Sequence, residues 1–166
     1  MTVMKENSYK PRLGDIGVVK SNGIFARLIQ LGTLSRWNHA FIYIGGRQVV
    51  EATPKGVIVS PVSKYSHIAW NKHQVIAGYS RIAIANYALS LVGQPYGWLD
   101  IATIMLRILG LKILANTKLA KRLAQSNGYI CSELCAETYQ KCNSPFSMQS
   151  PESVTPGDII EAVVYQ

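Results

Sequence analysis

Residues 38–53 read NHAFIYIGGRQVVEAT. Asn38–Ile44 is rich in β-branched and aromatic residues, Gly45-Gly46 marks a turn, and Arg47–Thr53 has the composition of a returning strand. Pro54 ends it. A hairpin is therefore expected, and its register decides what its two polar residues can do. With a three-residue loop, Gly45-Gly46-Arg47, Ile44 faces Gln48, Phe41 faces Glu51 and His39 faces Thr53. Side chains alternate with period two, so His39 and Glu51 then share one face as diagonal neighbours, about 7–8 Å apart at the backbone and within side-chain reach. A plain two-residue loop would send Glu51 to the other face. A working His39–Glu51 pair thus predicts the longer loop, with a glycine in the left-handed region.

Upstream of the hairpin, Gly14-Asp15 introduces a short strand over Ile16–Lys20, and residues 24–31 carry apolar side chains at helical spacing. Downstream, Val57–Val59 and Gln74–Tyr79 read as two more strands. The period then changes. Ala83–Val92 favours helix and stops at Gly93, and 98–109 and 116–125 read as further helices joined around Gly110. Cys131–Lys141 is a helix, and Asp158–Val164 reads as a last strand. Strands dominate the first half and helices the second, which is the order of an α+β fold: an antiparallel sheet packed against helices. At 166 residues the chain is one domain, 1–166, with a loose polar arm over 1–12.

Cys131 opens its helix. The first turn of a helix presents free N–H groups and the positive end of the macrodipole, and both favour a thiolate. The same N–H groups can hold a developing oxyanion. His39 is a candidate base, and Glu51, a carboxylate between Val49-Val50 and Ala52, shares its hairpin face under the longer loop and could orient its imidazole. Ser132, through its backbone N–H, is a candidate oxyanion donor, and the hydroxyls of Tyr43 and Tyr96 are weaker candidates. Taken one at a time, each residue has a plainer explanation: a buried cysteine, a hydrogen-bonded strand histidine, a solvent-facing glutamate. Cys135 and Cys142 read as core packing, because the C-x3-C-x6-C spacing matches no usual zinc ligand set. No metal and no cofactor are expected.

Composition narrows the classes further. Apolar residues make up 48% and charged residues 16%, a globular balance and not a disordered one. Three cysteines leave one thiol over in any disulfide scheme, which points to a reducing compartment or a working thiol. The opening MTVMKENSYKPRLGD has no apolar core of the secretory kind, so a signal peptide is not expected. A cytoplasmic location is expected, or export by a non-Sec route such as a phage particle or secretion system. The longest apolar stretch, Ile101–Leu114, is interrupted by Arg107 and Lys112 and is too short to span a bilayer. The net charge of +8 suits an anionic wall polymer or a membrane surface. Nucleic acid is not expected as a partner, because no recognition motif or aromatic–basic stripe is present. The oligomeric state is left open.

Together these residues resemble the NlpC/P60 superfamily in its circularly permuted form, the branch of the YiiX/YebB-like proteins and the lecithin:retinol acyltransferase-like enzymes. The matching stretches are LGDIGVV at 13–19, WNHAFIYIGG at 37–46, VVEA at 49–52, GQPYGW at 93–98 and YICSELCAETY at 129–139. The resemblance implies a papain-like fold, with Cys131 as nucleophile, His39 as base and Glu51 as orienting group. It also implies a cysteine peptidase or amidase working through a thioester, with a peptide or peptidoglycan-like substrate of the bacterial cell wall. The alternative it leaves open is a membrane-associated acyl-lipid thioesterase, phospholipase or acyltransferase. Residues 99–127 depart from the family pattern as a helical insert, apolar and then basic, that suits a lid, a membrane contact, an oligomer contact or extra core helices.

Overall fold

The computed structural model describes residues 9–21, 35–72, 74–97, 128–146 and 150–163. Its order is β1 (Ile16–Val19), β2 (His39–Gly45), β3 (Gln48–Thr53), β4 (Gly56–Pro61), a 3-10 turn (Val62–Lys64), β5 (Ala69–Trp70), α1 (Gly78–Ser90), α2 (Cys131–Lys141), a 3-10 turn (Pro151–Ser153) and α3 (Pro156–Val163). The described residues form an α+β structure: one five-stranded antiparallel sheet, ordered β4-β3-β2-β1-β5, with three helices. The expected helices at 24–31, 98–109 and 116–125, and the insert at 99–127, lie outside the described residues. So does most of the expected N-terminal arm. Its last part is anchored: the Tyr9 hydroxyl and the Arg12 N–H both donate to Asp15 Oδ2 at 2.7 Å.

The central strands are apolar on both faces because both faces are covered. Ile16, Val18, Ala40, Ile42, Val50 and Ala52 point to one side, where Ile84 and Ala88 of α1, Leu134, Cys135 and Tyr139 of α2, and Ile159 and Ile160 of α3 complete the main core. Each buried Val, Leu or Ile among them contributes about 1.5–3 kcal/mol, and each Ala less. Val19, Phe41 and Val49 point to the other side, under Tyr43, Val62, Tyr65, Ile68 and Trp70. His39 and Glu51 belong to this second face by strand alternation.

The hairpin carries the anticipated register by a different device. Ile42 pairs with Val50 and Tyr43 with Val49, so Phe41 faces Glu51 as expected. The loop itself is only two residues, Gly46-Arg47, because Gly45 pairs with Gln48 and Ile44 is bulged out of the ladder. Both loop residues have positive φ, +57° and +61°, as a type I′ turn requires. The bulge restores the face that a plain two-residue loop would have reversed.

Two expected strands are not strands. Gln74–Tyr79 joins no strand among the described residues: Ala69–Trp70 takes the free edge of β1, Val75 stands 99% exposed, and α1 begins at Gly78. β-branched content gives a strand only where a neighbouring edge is available. Asp158–Val164 is helical through Val163. Thr155 Oγ1 accepts the Asp158 N–H at 3.2 Å, and Asp158 Oδ2 accepts the Thr155 N–H at 2.8 Å. This reciprocal cap, followed by Pro156 in the first turn, is a helix-start signal written in the sequence T-P-G-D.

Gly17 is the tightest point of the sheet. A Cβ there would lie 2.3 Å from Phe41 Cε2 and 2.9 Å from Ile68 Cγ2. Gly17→Ala is therefore expected to force Phe41 out of place and to destabilise the protein by roughly 1–3 kcal/mol. A urea midpoint equal to wild type would show that the second core yields freely.

Candidate active site

Three elements converge on one point. His39 is the first residue of β2, Glu51 lies inside β3, and Cys131 is the first residue of α2, which packs on β2. Imidazole Nε2 stands 2.6 Å from Glu51 Oε2. With Nε2 engaged there, Nδ1 is the ring nitrogen left to work on sulfur. Cys131 and His39 shift one another's protonation through a hydrogen bond and through charge. The His39 side chain keeps 14% of its surface exposed, Cys131 3% and Glu51 none. The sulfur is thus covered on most sides, and the imidazole edge is the partly open one.

The backbone supports the sulfur locally. Asn38 is buried, and its side chain is tied to Ser21: Oδ1 accepts the Ser21 N–H at 2.8 Å, and Nδ2 donates to the Ser21 carbonyl at 2.9 Å. This fixes the peptide run 38–40. The Cys131 thiol sits 3.9 Å from the Asn38 carbonyl, and the N–H groups of Ala40 and Ser132 are directed at the sulfur. The residue before the helix is Ile130, which has no side-chain acceptor. Glu133 Oε2 reaches back to the Ile130 N–H at 3.5 Å, but no N-cap side chain takes the first-turn N–H groups, so these stay available to the thiolate or to a substrate oxygen.

Electrostatics favour the charged pair. Burial pushes the Cys131 thiol up, but the His39 hydrogen bond, the imidazolium charge and the Ala40 and Ser132 N–H groups outweigh it, and the net direction is down. Burial likewise opposes protonation of His39, yet the hydrogen bonds to Cys131 and Glu51 lift it to about 9. Burial disfavours the Glu51 carboxylate, and His39, Lys64 and Ser60 together still hold it down to about 2. These shifts all act in one sense, favouring thiolate, imidazolium and carboxylate over the neutral forms.

The weaker candidates separate. Tyr96 lies beside the site: its backbone bridges Tyr129, two residues before Cys131, and it is buried. Burial and the Cys131 charge both raise its phenol, which stays a protonated donor. Ser132 directs its N–H at the sulfur, while its buried Oγ finds no hydrogen-bond partner among the described residues. Tyr43 is placed elsewhere. It shares the His39 face but lies four residues along the strand, about 13 Å away. There its hydroxyl accepts the Arg47 N–H at 3.3 Å and its ring meets Trp70 edge-on. Cys135 is core, pushed well up by burial, and Cys142 is half-buried at the helix end.

Sequence reading missed the groups around Glu51. Lys64 Nζ lies 2.8 Å from Glu51 Oε1, and the Tyr65 hydroxyl donates to Oε2. Ser60 was legible in principle, since Glu51 pairs with Ile58 and Val49 with Ser60, which makes Ser60 its diagonal neighbour. Lys64 and Tyr65 follow β4 in a polar stretch with no local signal.

No family model matches this chain, and no curated protein sequence does either. Among the described residues no helix is long and apolar enough to cross a membrane.

Proposed function

We propose that this protein is a cysteine hydrolase of the papain-like, circularly permuted NlpC/P60 type, cleaving amide bonds with a Cys131–His39–Glu51 triad. One observation carries the reading: a cysteine at a helix start with no N-cap side chain on its first turn faces an imidazole whose far nitrogen is held 2.6 Å from a buried carboxylate. That is the geometry a thiolate–imidazolium nucleophile needs.

The Cys131 thiolate attacks the carbonyl carbon, and the carbonyl electrons move to oxygen. The oxyanion is received by N–H groups of the first α2 turn, with the Tyr96 hydroxyl as a nearby further donor. On collapse the C–N bond breaks and His39 gives its proton to the leaving amine. A thioester remains. Water, deprotonated by His39, then attacks it and releases the acid and the thiolate. Glu51 keeps the imidazole in one tautomer and stabilises its charged form.

A peptide crosslink or stem peptide of bacterial cell wall is the substrate that the resemblance and the basic charge support together. A second reading, lipid acyl chemistry at a membrane, is favoured by one feature of α1. That helix turns Tyr79, 81% exposed, and Ile82, 56% exposed, to solvent. Incubating the protein with peptidoglycan and with anionic phospholipid vesicles, and weighing the products by mass spectrometry, separates the two. New peptide termini support the first, and released fatty acid the second. Products from neither substrate sink both.

The nucleophile has its own pH signature. As pH falls, the thiolate takes up a proton only below the ordinary thiol value of 9.0. As pH rises through about 9, His39 loses the proton that the leaving amine needs. Turnover is expected to fall on the alkaline side as pH passes about 9 and on the acid side only at a pH below the ordinary thiol value, with alkylation of Cys131 by iodoacetamide already fast at pH 6. Alkylation that begins only near pH 8–9, as for an ordinary thiol, would refute the ion pair.

A further inference from the structure

We propose that Lys64 and Tyr65 are positioning residues of the site: they clamp the Glu51 carboxylate in one orientation and limit how strongly it holds the His39 imidazole. This deepens the triad reading and rests on it.

Glu51 is fully buried, and a carboxylate offers about four acceptor positions. Oε2 takes His39 Nε2 at 2.6 Å and the Tyr65 hydroxyl; Oε1 takes Lys64 Nζ at 2.8 Å. Ser60 on β4 donates to the same carboxylate. The groups facing the His39–Glu51 pair are therefore Cys131 from α2, Ser60 from β4, and Lys64 and Tyr65 from the turn after β4. Rotating the carboxylate toward any other partner breaks at least one of these bonds.

The direction of the Tyr65 hydroxyl is set by packing. Its ring stacks on Phe41, 4.8 Å between centroids with planes 20° apart, and leans on the His39 ring at 5.6 Å. Phe41 in turn fills the space that Gly17 leaves open. One line of contacts thus runs from Gly17 through Phe41 and Tyr65 to Glu51, His39 and Cys131. Burial and the Glu51 charge raise the Tyr65 phenol above its ordinary value, so the donor keeps its proton throughout the working range. Lys64 is the cation of the cluster, with its side chain 47% exposed, so its effect is partly screened.

A carboxylate shared among several donors is a weaker partner for the imidazolium than one facing His39 alone. Removing a competing donor therefore tightens the proton on His39. Tyr65→Phe keeps the ring and deletes the hydroxyl; Lys64→Met deletes the cation from a half-exposed position. In each variant, NMR titration of the His39 ring is expected to show its midpoint moved upward, by roughly half a unit for Tyr65→Phe and less for Lys64→Met. Turnover in Tyr65→Phe is expected to fall about tenfold in kcat with KM unchanged, as for loss of an orienting contact.

A purely structural role would lower the melting temperature and leave the titration alone. A His39 midpoint in both variants that matches wild type, or moves down, overturns the clamp. Lys64→Met keeps the test open should Tyr65→Phe fail to fold. Iodoacetamide labelling of the wild type separates the two levels. Ordinary-thiol behaviour of Cys131 brings down the triad reading itself, whereas fast labelling at pH 6 with unmoved His39 midpoints brings down only the clamp.

Discussion

A Cys131→Ala variant is expected to fold and to show no measurable turnover. The sulfur contributes little packing volume, and its loss at a helix start opens at most a small cavity, costing about 1 kcal/mol. Every bond-making step in the proposed cycle passes through that sulfur, and no other described thiol can take its place. Cys135 is buried in the core with its thiol pushed well up, and Cys142 sits at the far end of the helix. Loss of a triad nucleophile costs on the order of a millionfold in kcat. The same variant removes one of the two hydrogen bonds that raise the His39 imidazole, so its titration midpoint should drop below about 9. Product assays and an NMR titration check both effects on one sample. Hydrolysis at even one per cent of the wild-type rate would remove Cys131 from the mechanism.

Asp15→Ala is expected to destabilise the protein by about 3–5 kcal/mol, the cost of stranding a buried charge. Asp15 is fully buried and gathers three partners. Its Oδ1 takes Arg81 Nη1 of α1 at 2.6 Å, while Oδ2 takes the Tyr9 hydroxyl and the Arg12 N–H. Arg81 is itself only 8% exposed, and its second terminal nitrogen, Nη2, has no hydrogen-bond partner among the described residues. Remove the carboxylate, and among the described residues the Leu13 carbonyl, at 3.0 Å, is the hydrogen-bond acceptor that remains for the guanidinium. For a chain of this length the melting temperature should fall on the order of 10 °C. Arg81→Met in the Asp15→Ala background should recover part of that loss, because the stranded cation is gone; the two effects should not add. An Asp15→Ala protein within 1 °C of wild type would show that water reaches the guanidinium freely.

The residue pattern shows why parts of this molecule could be read before any coordinates. The hairpin was legible because strand alternation is local and strand-forming runs flank Gly45-Gly46. The shared face of His39 and Glu51 followed from sequence only for a three-residue loop, and the structure reaches that face through a bulge at Ile44 and a two-residue turn. The start of α2 at Cys131 was equally legible. The start of α3 carried a signal in Thr155-Pro156-Gly157-Asp158 that went unread, because the apolar, β-branched run after it has the composition of a strand. Val75 shows the opposite case: a strand-like residue that no strand edge receives.

What the chain determines by itself is local: period, turn chemistry, helix starts, and the chemical kind of group at each position. Those set the α+β order and single out a thiol, an imidazole and a carboxylate. Only the tertiary structure decided that α2 lies on β2 with Cys131 at His39, that Lys64 and Tyr65 close around Glu51, and that Tyr43 stays out of the site. These contacts join residues far apart along the chain through packing of whole elements, and no short-range spacing encodes where a packed element comes to rest.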